Sequence, residues 1–375
     1  MSERLMANIT APPAGGQGSQ RVMYARGAGA HGVFVTEHAM TAYTKACFLQ
    51  TTGQQTPVLV RFSTVFHGKG SPEAVRDPRC FAVKLHTQEG RYDIIGSHIP
   101  VSVRETAKFQ EVEQALRPSS DTNEQNPSRY WELLTQMPES VHMLTWLFGN
   151  EGTPVSYRQM NGHSVQACKW INAEGAEVYV KYMWKSKQGA RYFTPDEMAA
   201  MQASDYSHAT RDLYAAIENG EYPQWELHVQ VMTLEAADRL PFDPLDPTKI
   251  WPEEQFPFIQ VGTMTLNQNP INYFGEVEKA VFSAEAIVPG IESAGMPRRE
   301  AGAVQTNDFA QAGERIRLMQ GSDYDWLVHN LISDLQQVPH ETQLRAVRSF
   351  CRADVPLGKQ LAAGLGIDLE HEPEG

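Results

Sequence analysis

TPVLVRFSTV (56–65), CFAVKLHT (80–87) and YDIIGSHIPVSV (92–103) follow one another along a short stretch of the chain, and their reading decides the fold. In each, apolar side chains alternate with polar or small ones, the period-2 pattern of a half-buried strand. SVQACKWI and EVYVKYMW then flank Asn172-Ala173-Glu174-Gly175, a good hairpin turn. WELHVQVMTL (225–234) and VGTMTLNQ (261–268) complete the set. This many alternating strands, broken by Gly, Asn, Asp and Pro, predict an antiparallel sheet that closes on itself, because closure removes exposed edges.

Helical spacing interrupts the sheet at 105–117, 127–147, 195–203 and 206–219. The stretch 322–366 keeps a 3.6-residue period with no strand inside it. The fold class expected is therefore α+β: a β-barrel with helices on its flanks and a helical carboxy-terminal domain. The organisation reads as a flexible amino-terminal arm over 1–20, a barrel domain over 21–292, a polar linker over 293–321, the helical domain over 322–366 and a tail over 367–375.

Composition narrows the function classes. The 375 residues carry 45 acidic against 32 basic side chains, a formal charge of −13, which disfavours a nucleic-acid binder. No apolar run reaches the roughly 18 residues of a membrane span, and the first 20 residues lack a secretory apolar stretch. Cys47, Cys80, Cys168 and Cys351 are scattered without zinc or disulfide spacing, which predicts a reduced, cytoplasmic setting.

Gly27-Ala28-Gly29-Ala30-His31-Gly32 satisfies G-x-G-x-x-G, but a strand-like GVFVTEH follows it where a dinucleotide site requires a helix. The residues read instead as a close backbone approach in a β context. His31, His67, His98 and His163 have no metal-ligand spacing, Cys80 reads as a half-buried structural thiol, and neither G-x-S-x-G nor a P-loop is present.

RVMYARGAGAHG (21–32) resembles the active-site strand of haem catalases, and the resemblance extends well beyond it. PVLVRFSTV, VRDPRCFAVKLHT, MNGHSVQACKWINAEGAEVYVKY, PFDPLDPTKIWP, VGTMTLNQNPINYFGEVEKAVF and PGIE all resemble catalase segments in the family's order. FAQAGERIRLM (309–319) and the helices after it resemble the carboxy-terminal helices of bacterial catalases. The resemblance covers roughly residues 20 to 366. It implies a catalase-like eight-stranded antiparallel barrel, a buried haem b, peroxide or another small molecule as substrate, and a homo-oligomer, either dimer or tetramer.

Carried over residue by residue, the resemblance puts Tyr24 where catalases have their distal histidine and Ser97 where they have an asparagine. Ser63 matches the serine that supports the histidine, Arg21 and Arg61 match two haem-carboxylate arginines, and Phe109 completes the expected cofactor contacts. Val101-Ser102-Val103 stands in place of paired phenylalanines, and Gln166 in place of a histidine. No tyrosine occurs between Ile291 and Tyr324, so the segment carrying the family's axial tyrosinate reads as deleted and the metal ligand is unassigned. A phenol titrating near ~10 is a poor base at neutral pH. The expectation is accordingly an oxidoreductase of altered chemistry, a peroxidase-type or biosynthetic oxidation, rather than an efficient peroxide dismutase. The alternatives are a haem-free pseudoenzyme or partner protein, and a non-haem metal enzyme using His31, His67 or His98. Buried Arg21 and Arg61 are expected to meet an anion, from a ligand or from an acidic side chain.

Overall fold

The computed structural model describes residues 21, 23–116, 121, 126–295 and 307–371; the arm expected over 1–20 and most of the polar stretch 293–308 lie outside them. Ten strands form one antiparallel sheet: β1 (Gly27–Thr36), β2 (Gln55–Thr64), β3 (Arg79–Thr87), β4 (Gly90–Ser97), β5 (Gly162–Ser164), β6 (Cys168–Ile171), β7 (Glu177–Ser186), β8 (Gln224–Thr233), β9 (Ile259–Gln268) and β10 (Ile291–Ser293). Eight of them close in the order β1-β2-β3-β4-β5-β7-β8-β9, with β9 returning to β1, while β6 and β10 extend from β7. The expected eight-stranded barrel is present.

The alternation read from the sequence sorts the side chains between two faces. Val58, Val60 and Phe62 of β2, Phe81, Val83 and Leu85 of β3, and Tyr92 and Ile94 of β4 fill the barrel core. The intervening residues of β2 and β3, Leu59, Cys80 and Ala82, pack on the outer face against Val277 and Phe282. That outer face is where the site is built. The glycine-rich run lies in β1, not in a dinucleotide loop. A Cβ on Gly27 would sit 2.1 Å from the Phe62 carbonyl oxygen, and one on Gly32 would sit 2.1 Å from that of Thr265. Only glycine permits strands this close.

Helices α1 (Thr106–Leu116), α2 (Pro127–Leu134) and α3 (Ser140–Leu147) follow β4. The spacing over 127–147 predicts one helix, but Pro138 interrupts it, having no amide hydrogen to donate and restricting the residue before it. Helices α4 (Pro195–Ser204) and α5 (His208–Glu218) precede β8. The chain ends in α6 (Ala310–Leu318), α7 (Ser322–Leu335), α8 (His340–Ala353) and α9 (Val355–Leu365). Trp131, Leu134 and Met143 from the first group share one apolar core with Ile316, Leu331, Val347 and Leu361 from the last. The carboxy-terminal helices therefore pack on the helices that cover the barrel.

Candidate active site

A cavity of ≈ 150 Å³ lies against the outer face of the barrel. Tyr24, Phe66, Cys80, Ser97, Ser102 and Phe109 are among its lining residues. β3 and β4 supply Cys80 and Ser97, which are paired in register across the sheet, and Ser63 of β2 pairs with Cys80 from the other side. The pleat therefore sets a row of small polar side chains, Ser63, Cys80 and Ser97, along three neighbouring strands. Ser63 is fully buried behind this wall, while Cys80 and Ser97 reach the cavity.

Tyr24 precedes β1 and is half-buried, with φ +57°, the only positive value outside glycine among the described residues. Its amide donates to the Val65 carbonyl at 3.0 Å, which fixes the turn. Burial is the main cause that pushes its phenol well above the ordinary value, with the charges of Cys80 and Asp77 adding to it. The phenol is therefore a hydrogen-bond donor at neutral pH. Phe109 of α1 stacks on it with ring centroids 6.4 Å apart. The Cys80 thiol is pushed up to about 11 by burial, against the pull of Arg61 and Arg21.

Arg61 and Arg21 stand behind the wall. Arg61 Nη2 donates to the Tyr24 carbonyl at 2.6 Å and lies 3.8 Å from Glu278 Oε2. Arg21 Nη2 donates to the carbonyls of Glu278 and Ala280, both at 2.8 Å. The anion expected beside the arginines is thus the buried carboxylate of Glu278, which the sequence reading did not identify. Burial, followed by the neighbouring Arg61 charge, brings Arg21 down to about 10.

His98, which follows Ser97 just past the end of β4, is no substitute for a distal base. Its Nδ1 accepts from the Arg79 amide at 2.8 Å, its Nε2 bonds the Glu151 carbonyl at 2.8 Å, and burial lowers its pKa to about 3. His31 pairs with Glu276, and His67 with Asp77. Among the described residues no group of three or more His, Cys, Asp or Glu side chains could hold a metal ion.

The fit to a haem is one-sided. Behind the barrel wall, Arg61 Nε is buried without a hydrogen-bond partner and Arg21 lies beside it, a donor set suited to carboxylate arms, although neither residue lines the cavity. Phe109 offers a ring face. For an axial ligand, the other lining phenols are Tyr92 and Tyr182, whose hydroxyls lie 2.7 Å apart, and Trp170 Nε1 donates to Tyr182 at 2.7 Å. Burial raises both phenols well above their ordinary value. The described residues thus fit the arms of a haem and not its iron.

A model of the family described as Catalase matches residues 17–297, and one described as Catalase-related immune-responsive matches residues 303–365. A protein named Catalase from Listeria seeligeri is 52% identical over 273 residues, which cover 72% of this chain and 56% of that relative. The chain thus spans little more than half the length of that relative. Another, from Listeria monocytogenes, is 50% identical over 432 aligned positions covering 94% of this chain and 88% of the relative. Since 432 positions exceed the 375 residues here, that relative carries residues this chain lacks. Among solved structures, catalase A from Saccharomyces cerevisiae superposes with a TM-score of 0.87 at 27% identity, covering 92% of this chain and 89% of that one. These relatives correct the expectation of altered chemistry. Proteins named Catalase at up to 52% identity point to ordinary catalase rather than to an altered, non-dismutase oxidation.

Proposed function

The chain belongs to the catalase family, and from that membership we propose that it breaks down hydrogen peroxide, two molecules giving one of dioxygen and two of water, in the cavity on the outer face of the barrel. The observation that carries this reading is the cavity wall. In a chain up to 52% identical to proteins named Catalase, the turn before β1, strands β3 and β4 and helix α1 bring Tyr24, Cys80, Ser97 and Phe109 to one cavity, which supports this reading.

Haem b is the cofactor of this reading. Arg21 and Arg61 would hold its carboxylate arms and Phe109 its ring, while none of the described residues is placed to hold its iron. The chain's own contribution is binding and orientation. The Tyr24 phenol stays protonated and offers one hydrogen bond to a peroxide oxygen; the Ser97 hydroxyl offers a second. The Cys80 thiol, held protonated by burial, does not compete as a nucleophile. The reading carries with it a cytoplasmic homo-oligomer. Four free cysteines and the absence, among the described residues, of a helix long and apolar enough to cross a membrane support that setting.

An oxygen electrode tests the proposal on full-length protein produced with haem supplementation. Dioxygen release at one molecule per two of peroxide is expected, together with an absorption band near 400 nm. A protein that shows the band and releases no dioxygen would overturn it.

A further inference from the structure

A haem iron takes its protein ligand from a phenolate, an imidazole or a thiolate, or from a thioether that acts beside a histidine. Every tyrosine, histidine and cysteine of this chain falls within the described residues, so the inventory of such donors is complete. Five of them line the cavity: Tyr24, Tyr92, Tyr182, Cys80 and Cys168. None of the 12 histidines does. Met143 is the one thioether among the lining residues, and it has no lining histidine to act beside.

These five donors are not poised to bind a metal. Tyr182, Tyr92 and Cys168 are bonded to one another. The Tyr182 hydroxyl accepts from the Cys168 thiol at 3.2 Å and from Trp170 Nε1 at 2.7 Å, and it lies 2.7 Å from the Tyr92 hydroxyl. To ligate, a phenol or thiol has to lose its proton, and a facing cation is what favours that loss. Among the described residues Arg104 is the one Lys or Arg in the lining, and its guanidinium is held by Asp246 at 2.6 Å and by Asp308. Cys80 has Arg61 and Arg21 as neighbouring charges, yet burial keeps its thiol near 11, and the Cys168 thiol stands near 12. The Tyr24 phenol is held protonated by burial in the same way.

The carboxylate arms of a tetrapyrrole are met differently. Arg61 keeps Nε buried without a hydrogen-bond partner, and the charges of Arg61 and Arg21 both reach the Cys80 thiol on the cavity wall. Phe109 lines the cavity with a ring face. We infer that this chain holds a tetrapyrrole by its carboxylate arms and one ring face, offers the central metal no side chain, and so binds a metal-free porphyrin as firmly as haem. The inference rests on the haem reading above and adds to it the class of ligand: a flat tetrapyrrole carrying carboxylates, with or without a metal. Neither an arginine–carboxylate pair nor stacking on Phe109 depends on what the ring encloses. The axial positions of an enclosed iron are left to small molecules from solution.

Titrations of the full-length protein, produced without haem supplementation, test this. Haemin and metal-free protoporphyrin IX are added separately, and quenching of tryptophan emission reads binding. Protoporphyrin is expected to bind within about threefold of haemin, or tighter. Haemin binding tighter by more than that overturns the inference, because a protein ligand to iron has no counterpart in the metal-free ring; the haem reading then stands. Binding of neither overturns the haem reading, and this inference falls with it. Arg61→Ala, or Arg61→Lys if the alanine variant does not fold, should weaken both ligands alike, by on the order of 10-fold. Unchanged affinities in the variant mark adsorption away from the arginines and overturn the inference. A loss confined to one of the two ligands does the same.

Discussion

Tyr24 and Phe109 face each other with ring centroids 6.4 Å apart and planes within 11° of parallel. The stack joins the turn before β1 to helix α1, and it holds Tyr24 at φ +57°. A non-glycine residue in that region costs about 1–3 kcal/mol and persists only where its surroundings fix it. Histidine is among the residues that enter this region more readily. Tyr24→His should therefore fold and should place an imidazole in the cavity. Dioxygen release is expected to rise by on the order of 10²-fold, the usual contribution of a positioned general base. An unchanged rate in Tyr24→His would show that peroxide does not react beside residue 24.

Glu278 joins two arginines in a buried cluster, 3.8 Å from Arg61 and bonded through its carbonyl to Arg21. Removing one member leaves the others uncompensated, at a cost of about 3–5 kcal/mol when the pair is fully buried. Glu278→Gln should lower the urea midpoint because Arg21 and Arg61 then repel each other across the site. A ligand bringing carboxylates would relieve that repulsion, so haem should raise the melting temperature of Glu278→Gln by more than it raises that of the unmodified chain. Equal shifts would mean that the arginines do not hold the haem arms. Arg61→Ala should lower both stability and haem retention.

Much of this architecture was legible because period-2 alternation is a local signal. Val58, Val60 and Phe62 read as one face and Arg61 and Ser63 as the other, and the barrel keeps that division. What sequence could not supply were contacts made by closure. Glu278 lies 257 residues from Arg21, and no periodicity links them. His67 and Asp77 are only ten apart, yet they match no ligand or triad spacing, because a loop rather than a helix or strand sets their geometry. The helix expected over 127–147 shows the opposite failure: apolar spacing continued through Pro138 while the backbone could not.

Inside the barrel the Tyr182 hydroxyl is a shared acceptor. Trp170 Nε1 donates to it at 2.7 Å and the Cys168 thiol at 3.2 Å, with the Tyr92 hydroxyl at 2.7 Å. Tyr182→Phe removes the acceptor and strands a fully buried indole N–H, at a cost of about 1–3 kcal/mol. Urea denaturation should show that loss. Trp170→Phe should destabilise by less when made in Tyr182→Phe than when made alone, since the stranded donor is then gone. Strictly additive losses would show that the hydroxyl and the indole are energetically independent.

Two buried histidines contribute to the acid response through identifiable hydrogen bonds. His98 uses Nδ1 to accept from the Arg79 amide, and His142 uses Nε2 to accept from Trp146 Nε1 at 3.1 Å, so protonating either breaks a hydrogen bond. Burial is the leading cause that lowers their pKa values, to about 3 and about 4. In the unfolded chain both titrate near ~6.5. Between that value and the folded values the unfolded state binds more protons, so stability is fully present above ~6.5 and is lost as pH falls toward 4 and 3. Each histidine contributes a slope of up to about 1.4 kcal/mol per pH unit in that window. Urea midpoints measured from pH 7.5 to 5 should fall steadily, and a substitution that replaces one imidazole with a neutral acceptor, His142→Gln, should make the fall shallower even if it lowers stability at pH 7. A midpoint that stays flat over this range would mean that the two rings take up protons in the folded protein, which their hydrogen bonds to Arg79 and Trp146 forbid.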